Sequence, residues 1–270
     1  MRRHAAVLLF VALVSPLHAQ FIVKLAPQTL DEFQAYVARV ESGMRERWTG
    51  RQPFLWLDEN PDARQSVRKG EIVVKASGSQ DGNPVNGGLV HDWMGAMFIP
   101  GARMEQVESI IQDFDRHKKF YPEVIDSRTL RRESSTVFGY WRLRKKKVLT
   151  VELNAELEVH ADSAGPERWY TRSYTVHMNE IADAGTPQER EMPDGQGHGF
   201  LWRLNAYWRL EQQPDGVFAE CHTLSLSRDV PSGLGWIIRP IIRDLPRLSL
   251  LDTLKATALA AKTAPSRHGS

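Results

Sequence analysis

The chain has 270 residues, 41% of them hydrophobic, and a formal net charge of +2. This length is enough to bury a sizeable core, and the near balance of charge excludes a general electrostatic attraction to nucleic acid. The one cysteine, Cys221, excludes an intramolecular disulfide, so stability has to come from packing.

Residues 1–19 have the pattern of a secretory signal, in which two arginines precede the apolar run Val7–Val14 and Ala19 closes a small-residue cleavage site. Removing this segment takes away two arginines and no acidic residue, so the chain from Gln20 onward is formally neutral. We therefore expect a periplasmic or secreted protein. A signal anchor is the less favoured alternative, because a membrane span takes about 20 apolar residues.

The part that follows, residues 20–62, reads as a helical extension. Thr29 and Glu32 form a capping-box pattern, which predicts that a helix over 29–47 begins there. Apolar residues recur in this helix at helical spacing, so one side of it is expected to pack against another element. The cluster Asp58–Asp62 is typical of a loop.

The main domain, residues 63–262, is dominated by strand-like segments. A helix begins at Met104 and has to end before Pro122, which cannot continue the helical hydrogen bonds. Apolar and polar residues alternate strictly over 149–159, the pattern of an antiparallel strand with one buried face. The predicted strands are 71–75, 89–99, 124–132, 137–144, 148–159, 168–181, 200–211 and 217–228.

A helix over 247–261 closes the domain. Pro240 and Pro246 predict a kink or a break just before it, and residues 263–270 form a tail that we expect to be disordered. A polar insertion at 182–199 is longer than a compact domain normally carries. Strands flanked by helices, without strict alternation of the two, indicate the α+β class.

Four segments resemble the START-like helix-grip superfamily, which includes polyketide cyclase/dehydrase and coenzyme Q-binding START-type domains. They are Trp93–Gly101, Ile110–Asp115, Tyr121–Pro122 and Ser225–Pro231. The similarity covers roughly residues 89–262 and rests on structural motifs, so it is more specific for the fold than for the function.

The resemblance implies a curved antiparallel sheet around a long C-terminal helix, with a cavity for a lipid, isoprenoid, quinone or aromatic molecule between them. This chain departs from the pattern in its secretory signal, its N-terminal extension and its insertion at 182–199. The signal argues against an intracellular quinone-carrier role.

Motifs that carry catalysis or bind metal are missing from the sequence. It contains no G-x-S-x-G elbow, no H-E-x-x-H helix, no phosphate-binding glycine loop and no paired-cysteine site. Asp113 and Asp115 lack the glycine and glutamate that complete a calcium loop. We therefore expect no metal, no cofactor and no catalytic residue.

Arg142 is a candidate ligand anchor. If Lys145 and Lys146 form a two-residue turn, Tyr140 faces Val151 and Arg142 lies on the apolar side of the sheet, where it could bind a carboxylate or carbonyl. A turn one residue longer reverses the faces and puts Arg142 in water.

The hairpin 200–228 offers further candidates. With a turn at 213–216, Trp208 faces Cys221 and Trp202 faces Ser227, and such pairing of large and small residues leaves room for a ligand. The opposite face carries the remaining candidates. An ordinary solvent-exposed face with a cross-strand ion pair is slightly favoured over a ligand-binding role for them. These candidates are Arg203, Asn205, Tyr207 and Glu220, with Arg209 opposite Glu220 and Tyr207 opposite His222.

Two further segments could meet a ligand or a membrane. The basic run Arg142–Lys147 could contact an anionic membrane surface transiently, although such a run is usually a solvated hairpin tip. On the closing helix, Ile238 and Leu245 are the candidates to line the cavity, although core packing explains this apolar segment equally simply.

Three functions follow from these observations. The first is an exported, non-catalytic protein that holds a hydrophobic small molecule. The second is a cyclase- or hydrolase-type enzyme, for which His177 or Glu220 would have to supply general acid or base catalysis. The third is a membrane-docking protein that uses the basic run and the insertion.

Overall fold

A computed structural model of the chain describes residues 22–146, 150–229 and 235–263, with the backbone alone described in 235–243. The predicted signal, Lys147 and the tail beyond Thr263 therefore lie outside the described residues. The helices are α1 Pro27–Trp48, α2 Pro61–Arg68, α3 Met104–Gln112, α4 His117–Phe120 and α5 Gly235–Thr263. The strands are β1 Val23–Lys24, β2 Val73–Ala76, β3 Asn83–Val85, β4 Gly88–Pro100, β5 Val124–Glu133, β6 Thr136–Lys146, β7 Thr150–Ser163, β8 Arg168–Ala182, β9 Arg190–Glu191, β10 Gln196–Gly197, β11 Arg203–Gln213 and β12 Gly216–Arg228.

One antiparallel sheet forms the centre of the molecule, in the order β2-β4-β12-β11-β8-β7-β6-β5, with β3 added beside β4. All eight predicted strands are present, and the α+β class is confirmed. The long strands are bent, and β5, for example, shifts register against β6 twice. A sheet with such bulges curves, so it has a concave and a convex face.

The helix α5 packs against the concave face, on β2, β4 and β12, and also against α3 and α4. Glycine makes this close approach possible, since a Cβ on Gly95 would lie 2.4 Å from a methyl carbon of Leu254. The helix is continuous through both Pro240 and Pro246, so a break before residue 247 is wrong, and the alternative of a kink stays a prediction.

Residues 22–68 cover the convex face of the sheet. Phe54, Leu55 and Leu57 pack there with Phe98 of β4 and Phe218 of β12 in one buried cluster. A second cluster joins α1 to Val90, Tyr207, Leu224 and Leu226. The extension is therefore part of the core and has a fixed position on the sheet.

The predicted capping box at Thr29 and Glu32 is wrong. The helix α1 begins two residues earlier, at Pro27, a residue whose fixed φ angle suits the first turn. The Thr29 hydroxyl instead donates to the carbonyl of Asn86 at 2.6 Å, and a Glu32 carboxylate oxygen accepts from the Asn86 N–H at 2.7 Å. Both side chains thus tie α1 to the turn between β3 and β4.

The predicted loop at 58–62 also needs correction, because α2 begins at Pro61. Sequence reasoning placed the proline in a loop, but proline is also favoured at the first position of a helix. Arg68, at the end of α2, forms an ion pair with Asp215 in the β11–β12 turn. The short helix thus ties the extension to one end of the sheet.

The insertion at 182–199 is folded. Its strand β9 pairs with β8, and β10 pairs with β1 near the N-terminus. Ionic contacts hold it to the sheet: Nη1 and Nη2 of Arg142 each donate to Glu189 at 2.9 Å, and Arg203 donates to Asp194 at 3.1 and 2.8 Å. The hydrogen bond from Arg142 lowers the pKa of Glu189 to about 2.

Candidate functional site

The two faces of the central strands differ in how they are covered. On the convex side of β11 and β12 the polar residues Asn205, Arg209 and Glu220 are buried under the extension. On the concave side of the same strands, Leu204, Ala206 and Thr223 remain partly exposed. Leu204 and Ala206 are apolar and Thr223 is small, and accessible side chains of this kind are typical of the lining of hydrophobic ligand sites.

An apolar wall continues this concave surface onto β6, β7 and β8. Its members are the buried residues Leu143, Val151, Leu153, Ala155 and Met178. Leu204 of β11 and Ala256 of α5 pack against the same cluster, so the wall faces the helix.

A polar group lies at one end of this wall. The Lys145 ammonium contacts the Glu123 carboxylate and the Ser249 hydroxyl of α5, and the Ser249 hydroxyl lies 3.2 Å from the other carboxylate oxygen of Glu123. The Lys145 side chain is 20% exposed and that of Glu123 31%. Burial lowers the pKa of Lys145, and the Glu123 charge counteracts this effect.

Sequence reasoning placed Lys145 in a turn and in the basic run and did not select Glu123 or Ser249, although one signal could have put Lys145 on the concave face. Val137, Gly139 and Leu143 are the buried residues of β6, and they occupy alternate positions. Lys145 continues the same alternation, so it shares their face. Its partners Glu123 and Ser249 come from distant parts of the chain and have no such signal.

Two other polar groups on the concave side are structural. The hydroxyls of Tyr121 and Thr257 lie 3.1 Å apart and join the segment after α4 to α5. The His117 ring accepts from the Trp141 indole at 2.8 Å and lies 2.8 Å from the Ile110 carbonyl, so its other nitrogen donates there. Burial lowers the pKa of His117 to about 4, which keeps the ring neutral at neutral pH.

The predicted hairpin register for Arg142 is wrong. Lys146 pairs with Thr150, which leaves three residues in the loop, and Arg142 therefore pairs with Asn154. The extra residue reverses the faces, so Arg142 lies on the convex side, where it donates to Glu152 at 2.7 Å. Tyr140 lies there too and donates to Asn154 at 2.7 Å, whereas Val151 lies in the apolar wall.

The predicted register of the β11–β12 hairpin is confirmed, with Trp208 opposite Cys221, Tyr207 opposite His222 and Arg209 opposite Glu220. Trp208 packs in the core beneath α5, as the concave face requires. Trp202, however, packs with the α1 cluster on the other side of the sheet. The structure thus separates these two tryptophans.

The solvent-face interpretation of this hairpin is wrong, because the extension buries that face. The Tyr207 hydroxyl donates to Glu41 of α1 at 2.9 Å, and Asn205 is buried beside it. The Glu220 carboxylate, fully buried, accepts from Arg209 at 2.8 Å and from the N–H groups of Trp56 and Leu57 at 3.1 and 2.9 Å.

The other candidates are dispersed. His177 is exposed on β8, where it lies opposite Glu156, whereas Glu220 lies on β12 opposite Arg209. His177 and Glu220 therefore do not form a shared acid–base site. Leu245 is partly exposed on α5, and the side chain of Ile238 lies outside the described residues. In the basic run, Arg142 and Arg144 both pair with Glu152, and Lys146 is exposed, so contact of this run with a membrane stays a prediction.

Two other kinds of feature are absent from the part of the chain that the structure describes. Over residues 22–146, 150–229 and 235–263, no helix is long and apolar enough to cross a membrane. Within the same ranges, no three or more histidine, cysteine, aspartate or glutamate side chains are grouped so that they could hold a metal ion.

A curved antiparallel sheet closed by a long C-terminal helix, with two short helices between β4 and β5, is a helix-grip architecture. The expected fold is confirmed by this arrangement of its elements. Three solved structures are similar. The STAR-related lipid transfer protein from Xanthomonas axonopodis has 16% identity and a TM-score of 0.48, and the match covers 70% of this chain and 99% of that one. Human STARD10 has 12% identity and a TM-score of 0.47, with coverage of 76% and 80%, and the Zhui aromatase/cyclase from Streptomyces sp. R1128 has 8% identity and a TM-score of 0.46, with coverage of 67% and 99%. With identities of 16% or less and TM-scores below 0.5, these likenesses support no conclusion about what this chain does. No protein-family model and no curated protein matches the chain.

Proposed function

We propose that this protein binds a hydrophobic small molecule on the concave side of its sheet and holds it without chemical change. The observation that carries the proposal is the contrast between the faces of β11 and β12. The convex face is sealed by residues 22–68, while Leu204, Ala206 and Thr223 on the concave face stay partly exposed beside an apolar wall.

The proposal of a non-catalytic role rests on the placement of the polar residues. The Glu220 carboxylate accepts hydrogen bonds from three donors on the convex side. His177 is exposed to solvent and does not contact Glu220. Neither faces the concave wall, so neither is placed to move a proton on a molecule bound there. Enzymes with this fold exist, as the name of the aromatase/cyclase indicates, and turnover of a bound ligand is the alternative outcome.

Uptake of the uncharged fluorescent probe N-phenyl-1-naphthylamine tests the proposal. We expect saturable uptake by the wild-type protein and at least about tenfold weaker uptake by Ala206→Trp, because the indole would fill the concave space. The matched control is Val176→Trp, at a position 40% exposed on β8, which should bind as the wild type does. An absence of uptake, or equal uptake by Ala206→Trp, would rule out binding at this face.

We further propose that the protein is exported and begins near Gln20 after cleavage. The support is the charge and apolar pattern of residues 1–19 together with a folded chain that follows closely, since β1 begins at Val23. N-terminal sequencing of protein from a periplasmic fraction should begin near Gln20. Recovery of the protein with an intact N-terminus in the cytoplasm would contradict export.

A further inference from the structure

The polar group Lys145, Glu123 and Ser249 continues the apolar wall along the strands. Leu143 and Lys145 are two residues apart on the same face of β6, a spacing of about 7 Å. Their partners on β7 are Leu153 and Val151, both in the wall. An elongated apolar molecule lying along the wall would therefore bring one end to this group.

The hydrogen-bonding capacity of the group is not used up. An ammonium has three hydrogens, and among the described residues Lys145 has two acceptors, Glu123 and Ser249. One hydrogen therefore remains for an oxygen of a ligand. The two oxygens of Glu123 can each accept more than one hydrogen bond, so they can also accept from a ligand. A hydroxyl group both donates and accepts, and it fits this combination.

The charge of the group argues against a carboxylate ligand. Lys145 carries one positive charge, Glu123 balances it, and Asp252 adds a negative charge that also acts on Lys145. A ligand carboxylate would face a neighbourhood that is already negative and, because the group is partly buried, only weakly screened. An uncharged oxygen does not have this cost.

We infer that Lys145, Glu123 and Ser249 form a subsite for the uncharged hydroxyl group of an otherwise apolar ligand, and that Glu123 makes the subsite reject carboxylates. The inference rests on the proposed function, because it assigns the end of a molecule held along the concave wall.

Competition between two probes of equal chain length tests this subsite. Dodecanol and dodecanoate are each used to displace N-phenyl-1-naphthylamine at about pH 8, where dodecanoate is ionised. We expect the wild-type protein to bind dodecanol at least about tenfold more tightly. Equal affinity, or a preference for dodecanoate, would overturn the inference. A failure to bind any of the three molecules would instead refute the proposed function.

Substitutions then assign the selectivity to the group. Glu123→Gln leaves the Lys145 cation without its partner, so the preference should reverse toward dodecanoate by about tenfold or more. The Ser249 hydroxyl donates to the Leu245 carbonyl at 2.8 Å and accepts from Lys145, so one lone pair remains that a ligand hydroxyl can donate to and a carboxylate cannot. Ser249→Ala should therefore weaken dodecanol binding several-fold and leave dodecanoate binding nearly unchanged. Because Ser249→Ala removes one hydroxyl, it keeps the test informative even if Glu123→Gln folds poorly.

The control is the exposed ion pair of Lys118 and Asp126, at 44% and 45% exposure, in which Asp126 pairs along the sheet with Arg142 of the convex side. Lys118→Met and Asp126→Asn should leave the ratio of the two affinities at the wild-type value. Glu123→Gln and Ser249→Ala could instead lower stability and leave the ratio of the dodecanol and dodecanoate affinities unchanged. In that case Lys145, Glu123 and Ser249 only tie the β6–β7 hairpin to α5, and the inference is wrong.

Discussion

Gly139 of β6 lies directly beneath the ring of Phe114, and a Cβ there would come 2.1 Å from the ring. The substitution Gly139→Ala should therefore destabilise the protein by about 1–3 kcal/mol, the usual cost of forcing an extra carbon into a packed core. Gly43, inside α1, has open space around its Cβ position. Gly43→Ala should stabilise the protein by about 0.5–1 kcal/mol, because alanine is the better helix former. Urea unfolding measures both, and effects of the same sign would contradict the packing described.

The buried pair Arg209 and Glu220 supports a second prediction at the scale of residues. The two side chains are 5% and 0% exposed, so Glu220→Gln leaves a guanidinium buried without its counter-charge. We expect a loss of about 3–5 kcal/mol in the free energy of unfolding. The comparison is Arg131→Met, whose pair with Glu133 is 59% and 60% exposed and should contribute about 0–1 kcal/mol. A small loss for Glu220→Gln would mean that the convex face is open to water.

At the scale of elements, the two hairpins show what the sequence could and could not predict. The turn at 213–216 contains proline, aspartate and glycine, residues with marked turn preferences, and the register predicted from it is confirmed. The β6–β7 turn lies in a run of lysines without such a residue, so its length was not specified. A difference of one residue in the length of this turn decides which face of the sheet Arg142 and Lys145 occupy. For this reason the structure places Lys145, and not Arg142, at the candidate site.

The insertion provides a prediction about pH. His198 and Glu180 form an ion pair next to the β1–β10 pairing, and this hydrogen bond raises the pKa of His198 above its ordinary value of 6.5. A raised pKa means that the stabilisation is complete below about pH 6.5 and is lost as the pH rises through the pKa of the folded protein. As the pH rises, the hydrogen-exchange rates of the β1 and β10 amides should therefore increase by more than base catalysis of exchange alone would produce. In His198→Gln only the intrinsic increase should remain, and the same excess in that variant would exclude the ion pair as its cause.

For the whole molecule, the sequence indicated the architecture but not the position of the extension. Alternation in the strands and helical spacing near the C-terminus are local patterns, and they were sufficient for the α+β class. The apolar stripe of α1 showed only that the helix packs against something. Its partner is a face that carries Asn205, Arg209 and Glu220, which read as polar and solvent-exposed from sequence. Such a face is recognised as buried only when its distant partners, Glu41 and the N–H groups of Trp56 and Leu57, are known.

This placement predicts that the extension and the sheet unfold as one unit. Leu57 is fully buried against Phe218 and Phe98, so Leu57→Ala should lower the free energy of unfolding by about 2–5 kcal/mol. The control is Leu259→Ala, at a position 66% exposed, which should change the free energy of unfolding by at most about 0.5 kcal/mol. In Leu57→Ala, far-ultraviolet circular dichroism and tryptophan fluorescence should follow one common transition, because exposure of the convex face removes the partners of its buried charges. Two separate transitions, with the sheet still folded after the first, would show instead that residues 22–68 are a detachable cover. The concave side would then be only one of two surfaces open to a ligand.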